Sequence, residues 1–133
     1  MAHGSARATV DVDVVYCRTA ENIDRLARCL QSHAPYLRGA PKGLPFLWDS
    51  QTIRSGLNFT LRTSLGDLDL LGEVAGGGTY DSLLNDSETI QLFSLEIRCV
   101  TLTKLIHLKR AAGRPKDLEA IAELEALQEE QSH

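Results

Sequence analysis

The stretch "LNFTLRTSLGDLDLLG", Leu57 to Gly72, decides how this chain folds. Leu57, Phe59 and Leu61 alternate with Asn58, Thr60 and Arg62, and further on Leu68 and Leu70 alternate with Asp67 and Asp69. Side chains two apart on a strand share a face, so each run has one apolar and one polar face. Ser64, Leu65 and Gly66 between the runs have the length and chemistry of a tight hairpin. The stretch therefore predicts two paired strands, each buried on one side.

An earlier run, "TVDVDVVY" (Thr9 to Tyr16), reads as another strand and sets Asp11 beside Asp13 on one face. Aspartate is depleted in strands, and desolvating unpaired carboxylates is expensive, so a bare cluster on a sheet is destabilised by its own repulsion. A divalent cation removes that penalty. Mg²⁺ takes oxygen ligands and is typically held by one or two carboxylates together with substrate phosphates. Two such ions activate a hydroxyl nucleophile and neutralise a leaving pyrophosphate in an in-line displacement. By spacing alone, the two Asp-x-Asp pairs read equally as a metal site or as the solvated faces of strands.

Working outward, Thr19 is placed to cap a helix carrying Ile23, Leu26, Ala27 and Leu30 up to about Ser32. The segment from Ala34 to Pro45 holds three prolines and two glycines and predicts an irregular surface connection. "WDSQTIRSG" predicts a short helix capped by Asp49 or Ser50 and stopped at Gly56. A glycine loop, Gly76 to Gly78, opens into a short helix around Tyr80 to Leu84. "TIQLFSLEIRCV" predicts one or two further strands with a bend near Ser94. A helix from Leu102 to Ala112 stops at Gly113, and another restarts with Pro115 in its first turn, carrying Leu118, Ile121, Leu124 and Leu127. The sum is an α+β fold, a mixed sheet of four to five strands packed by about four helices.

With 133 residues, 43% of them hydrophobic, the chain is long enough for one core, and a single domain over residues 1–133 is expected, with helices 101–130 part of it. The net charge of −4 argues against a general electrostatic binder of nucleic acid or of anionic membrane. Cys17, Cys29 and Cys99 are odd in number and form no Cys-x-x-Cys pair, so neither a zinc site nor a redox motif is indicated, and a cytoplasmic protein is expected. No apolar stretch approaches the length that spans a bilayer, and the N-terminus has no apolar signal core.

Other candidates have two readings each. Gly76 to Gly78 read as an anion-binding nest of backbone N–H groups or as a flexible loop. Lys104, His107, Lys109, Arg110, Arg114 and Lys116 gather positive charge where the last two helices join. They read either as a phosphate or RNA contact, or as charges favouring a helix end and pairing with nearby acids. His3, His33, His107 and His133 have no ligand spacing, and Phe46, Trp48 and Phe59 read as core.

"HGSARATVDVDVVY", "LPFLWDSQTIRSGLNFTLRTSLGDLDLLGEVAGGGTYDSLL" and "LIHLKRAAGRPKDLEAIAELEAL" together resemble the small bacterial nucleotidyltransferase-like proteins of the DNA polymerase β superfamily. The resemblance covers nearly the whole chain, and its most specific local signature is the stretch Lys109 to Asp117. In that superfamily an Asp-x-Asp on one strand and a third acidic residue on a nearby strand hold the catalytic metals. The resemblance implies that Asp11 and Asp13 are the first pair, with the third carboxylate at Asp69 and Asp67 as the lesser choice. It also places a glycine motif ahead of the Asp-x-Asp, where small residues let backbone approach phosphate. Gly4 and Ser5 look like that motif at a shorter gap than the family's. On the family's alignment the motif and its helix are expected upstream of Met1, in a longer native chain. Arg7 and Thr9 stand just before the strand, as phosphate contacts or as part of a solvated N-terminal segment.

The resemblance implies a nucleotidyltransferase that uses Mg²⁺ or Mn²⁺. It would move a nucleoside monophosphate from a nucleoside triphosphate such as ATP to a hydroxyl of an acceptor the sequence does not identify, with RNA and protein as candidates. Gly4, Ser5, Arg7, Thr9, Lys109 and Lys116 are the expected nucleotide contacts. The alternative is a catalytically weak nucleotidyltransferase-fold module that binds a partner, such as a toxin–antitoxin component, or a second copy of itself as a homodimer.

Overall fold

The computed structural model describes residues 11–41 and 43–131, with the side chains of all of these except Asp11 and Leu92. The fold is α+β, with a mixed four-stranded sheet, a separate two-stranded sheet and five helices among the described residues. Its contacts divide it into two compact units, whose described parts are residues 11–41 with 43–73, and 74–131.

The first unit runs β1 (Asp11–Val15), α1 (Ala20–Gln31), β2 (Tyr36–Leu37), α2 (Ser50–Ser55), β3 (Asn58–Thr63) and β4 (Gly66–Leu71). The strands lie in the order β1-β4-β3-β2. The hairpin is the antiparallel pair β3–β4, and Gly66 takes a φ of +125° where the turn enters β4, a conformation glycine adopts without strain. β1 joins β4 in parallel, and α1, β2, α2 and β3 lie between them along the chain.

Alternation decides which side of this sheet is dry. Leu61 and Leu70 are fully buried and Phe59 nearly so, against Ile23, Ala27 and Leu30 of α1 and Ile53 of α2. Each such side chain contributes roughly 1.5–3 kcal/mol on leaving water. Trp48 stands edge-on to Phe59 with ring centroids 5.7 Å apart, and Phe46 packs on the same core, so these aromatics fill space as expected. α1 is capped by Thr19, whose side chain accepts from the Asn22 N–H, and α2 by Asp49, which accepts from the Thr52 N–H at 2.8 Å. That bond holds the Asp49 carboxyl below its ordinary pKa.

The expectation of an irregular Ala34–Pro45 segment is corrected at β2. Tyr36 and Leu37 pair with Arg62 and Leu61, and the Arg38 N–H continues the ladder to the Thr60 carbonyl at 2.9 Å. Three residues between Pro35 and Gly39 are enough to add an edge strand, because the open side of β3 offers unpaired backbone groups.

The second unit holds α3 (Tyr80–Leu84), β5 (Ser87–Leu92), β6 (Leu95–Val100), α4 (Leu102–Ala112) and α5 (Pro115–Gln131). The expected single sheet is also corrected here, because β5 and β6 pair only with each other, as a hairpin turning at Phe93 and Ser94. Leu102, Ile106 and Leu124 form the core between α4 and α5, joined by Ile121 and Leu127, whereas Leu118 is exposed. A three-residue step drifts by about 60° around a helix at each repeat, so the far end of the stripe turns away. No helix among the described residues is long and apolar enough to cross a membrane.

Candidate functional site

The register of the sheet brings the two Asp-x-Asp pairs together. In the parallel β1–β4 ladder Asp11 pairs with Asp67 and Asp13 with Asp69, while Val12 and Val14 pair with Leu68 and Leu70. Partners in register share a face, so Asp13, Asp67 and Asp69 belong to the side of the sheet opposite the Leu61–Leu70 core. Asp69 in turn pairs with Thr60 and Asp67 with Arg62 on β3. Thr60 receives the Arg38 N–H, which completes a rank Arg38, Thr60, Asp69, Asp13, with Arg38 one residue past β2.

Arg38 spans that rank with its side chain. Its Nη2 donates to Asp69 Oδ1 at 2.6 Å, its Nη1 stands 3.7 Å from Asp67 Oδ2, and Nη1 also reaches the Leu61 carbonyl at 3.4 Å. The Asp69 side chain is 13% exposed, against 29% for Asp67 and 25% for Arg38. Asp69 is thus the more enclosed carboxylate of β4 and has the shorter ion pair. Asp13 is exposed on β1, at the sheet edge.

The residue types suit a hard divalent ion, since the face offers carboxylate oxygens on adjacent strands and already draws one cation, the Arg38 guanidinium, between Asp67 and Asp69. Among the described residues, no three His, Cys, Asp or Glu side chains are gathered closely enough to hold a metal ion. The Asp11 side chain, and all of Gly4, Ser5, Arg7 and Thr9, lie outside the described residues.

Support for the site is local. The Tyr16 hydroxyl, just past β1, donates to the Leu57 carbonyl at 2.7 Å, and Arg18 donates to that hydroxyl and to the Ile53 and Arg54 carbonyls at the end of α2. Gly72 closes β4 against β3, where a Cβ would come within 2.6 Å of Leu57 Cδ1 and 2.9 Å of the Leu57 carbonyl oxygen.

Of the basic candidates, all in the second unit, most are engaged within it. Lys109 Nζ lies 3.3 Å from Asp117 Oδ1 and Arg114 Nε 2.6 Å from Asp117 Oδ2, while Lys104 pairs with Asp86 and Arg110 with Glu125. Asp117 is fully buried in the first turn of α5 and also accepts the Arg114 backbone N–H. Burial alone would raise its pKa, but the hydrogen bonds and charges of Arg114 and Lys109 outweigh that and hold it below the ordinary value. Lys116 is exposed at the start of α5. Two donors of the glycine loop are spent internally, since the N–H groups of Gly77 and Gly78 both bond to the Val74 carbonyl, and donors so satisfied are not offered to an anion.

Arg38 is the site residue that spacing did not reveal. The triplet Tyr36-Leu37-Arg38 has no apolar–polar alternation to mark it as a strand, and prolines and glycines surround it. No family model, curated protein or solved structure matches this chain.

Proposed function

We propose that the chain is a metal-dependent nucleotidyltransferase of the polymerase β kind, acting on a nucleoside triphosphate and a hydroxyl acceptor. The observation that carries this reading is the register Asp11 to Asp67 and Asp13 to Asp69 across a parallel ladder. Aspartates ranked on one sheet face repel one another, and a bound divalent ion would offset the part of that repulsion that Arg38 leaves. Asp13 and Asp69, with Asp11 beside Asp13 along β1, would hold Mg²⁺ or Mn²⁺. Such ions polarise the transferring phosphoryl group, lower the pKa of the attacking hydroxyl and offset charge on the leaving pyrophosphate. The protein's own contribution is to fix the aspartates on a sheet whose other face is anchored by Leu61 and Leu70, so that they are positioned before substrate arrives.

The Arg38–Asp69 ion pair favours a second reading, a catalytically weak module of the same fold that works by binding a partner, as a toxin–antitoxin component would, with the cation built into the chain. One experiment separates the two readings. The protein is incubated with nucleoside triphosphates labelled at the α-phosphate, Mg²⁺, and cytoplasmic RNA or protein. Label transfer that disappears in Asp13→Asn supports the enzyme, and absence of transfer from every nucleotide supports the binding module.

A further inference from the structure

The hairpin of β5 and β6 is a sheet of two strands, which in water is marginally stable without a further strand or a packed face. Its register gives it two unlike faces. Ile90, Leu95 and Ile97 share one, and Thr89, Gln91, Glu96 and Arg98 share the other. Toward the tip the apolar face is open, since Phe93, Leu95 and Ile97 are all exposed.

The turn fixes which way the backbone groups of β6 point. Leu92 and Leu95 flank a two-residue loop and so exchange both hydrogen bonds, and the next bonded pair is Ile90 with Ile97. The Thr101 N–H to Asp86 carbonyl bond at 2.8 Å belongs to the same alternating set. The N–H and C=O groups of Glu96 and Arg98 therefore point away from β5, and no backbone group among the described residues pairs with them. An edge of this kind is a template for another strand.

We infer that the outer edge of β6 pairs antiparallel with β6 of a second copy of this chain, about a two-fold axis at Ile97. The inference goes beyond the nucleotidyltransferase reading and does not depend on it. Charge selects this occupant. Pairing along this edge brings outward-pointing residues opposite one another, so near the middle of β6 the axis falls at Glu96, Ile97 or Arg98. An axis at Glu96 opposes two glutamates and one at Arg98 opposes two arginines, and like charges directly opposite destabilise a sheet. At Ile97 the same operation sets Glu96 opposite Arg98 of the second copy, and Arg98 opposite its Glu96. These residues then exchange backbone bonds on both sides of the axis, while Ile97 meets its own copy on the apolar face. Edge charges of one sign would keep copies apart, whereas opposite charges two residues apart match their own reversal. Both side chains are exposed on the polar face, where Glu96 accepts from Gln91 Nε2 at 3.3 Å and Arg98 donates to Thr89 Oγ1 and the Leu84 carbonyl, each at 3.2 Å.

Sedimentation velocity of the full chain over a concentration series tests this. The wild type is expected to shift from monomer toward dimer as concentration rises. Glu96→Arg and Arg98→Glu each turn both opposite-charge pairs into like-charge pairs, and each alone should weaken the dimer about tenfold or more. Mixed in equal amounts, the two variants complement each other and should recover the dimer. A wild type still monomeric at about 1 mM overturns the inference. So does a dimer that either single variant leaves intact, or one that the mixture fails to restore, because the contact then lies on another surface or in another register.

Circular dichroism shows whether the single variants fold. If either does not, amide hydrogen exchange in the wild type decides. The Glu96 and Arg98 N–H groups should exchange more slowly as protein concentration rises, and exchange at both that ignores concentration overturns the inference.

Discussion

Asp13 on β1 and Asp69 on β4 are direct partners in a parallel ladder, and they meet although more than fifty residues of chain separate them. If this pairing builds a cation site, Mg²⁺ or Mn²⁺ should raise the melting temperature of the wild type. At a hundred times the dissociation constant the gain is about 2.7 kcal/mol. The double variant Asp11→Asn, Asp13→Asn should lose that dependence while keeping its far-ultraviolet circular dichroism. A wild type whose melting temperature ignores both ions would speak for a solvated carboxylate face.

Asp117 gives the second unit its pH dependence. Its pKa in the folded protein lies below the ordinary value, so the ion pairs with Arg114 and Lys109 contribute fully above about pH 4 and are lost as pH falls through the lower folded value. Asp117→Ala should cost about 2–3 kcal/mol at neutral pH, because it removes several hydrogen bonds to charged donors. Urea unfolding at a series of pH values should show this gap closing below pH 4. A gap that stays constant with pH would assign the loss to packing.

Gly72 has no room for a side chain. Gly72→Ala brings a Cβ against the Leu57 side chain and its backbone carbonyl oxygen, which itself accepts from the Tyr16 hydroxyl and the Gly72 N–H. Overpacking of this kind costs about 1–3 kcal/mol. Chemical denaturation of the variant should show this loss. Gly39→Ala meets no neighbouring atom within 4 Å, but its φ of +85° makes it a strain control rather than a crowding one.

Phe93 and Ser94 both have positive φ, 50° and 72°, in the two-residue turn between β5 and β6. That geometry suits Asn-Gly, and residues with a Cβ pay roughly 1–2 kcal/mol each to adopt it. Phe93→Asn with Ser94→Gly should therefore raise stability by about 1 kcal/mol and also remove a phenyl ring that is 91% exposed. A lowered melting temperature would show that the turn depends on the ring.

Cys99 should be the slow thiol compared with Cys29. Burial, together with the Glu88 carboxylate opposite it on β5, pushes the Cys99 pKa above its ordinary value, whereas Cys29 is exposed on α1. Because the thiolate is the reactive form, iodoacetamide at pH 8 should modify Cys29 first, and Glu88→Gln should quicken Cys99. Equal rates at the two positions would contradict this.

Much of the local structure was legible because it depends on neighbours in sequence. Thr19 and Asp49 mark helix starts since their side chains satisfy N–H groups a few residues on, and Gly113, at a φ of 64°, ends α4 where the spacing said it would. The alternation in Leu57–Gly72 likewise assigned the faces of β3 and β4, with Leu61 and Leu70 inside and Asp67 and Asp69 on the other side.

Where Arg38 goes, and which acids the basic residues of α4 meet, was not legible. Proline and glycine around Tyr36–Arg38 hide a strand that exists only because β3 offers an open edge, and the same triplet without that edge would be loop. Asp117 reads as an ordinary acid in a first helical turn, and only the docking of α5 on α4 buries it against Lys109. By itself the sequence determined β1, the β3–β4 and β5–β6 hairpins, the faces of β3 and β4, the helix ends and the Asp-x-Asp pairs, all set by periodicity and caps within a few residues. Only the tertiary structure decided that β1 pairs in parallel with β4 and in which register, and that Arg38 stands between Asp67 and Asp69. Pairings between distant segments are selected by burying a shared apolar face and satisfying backbone edges, and no local pattern records that choice.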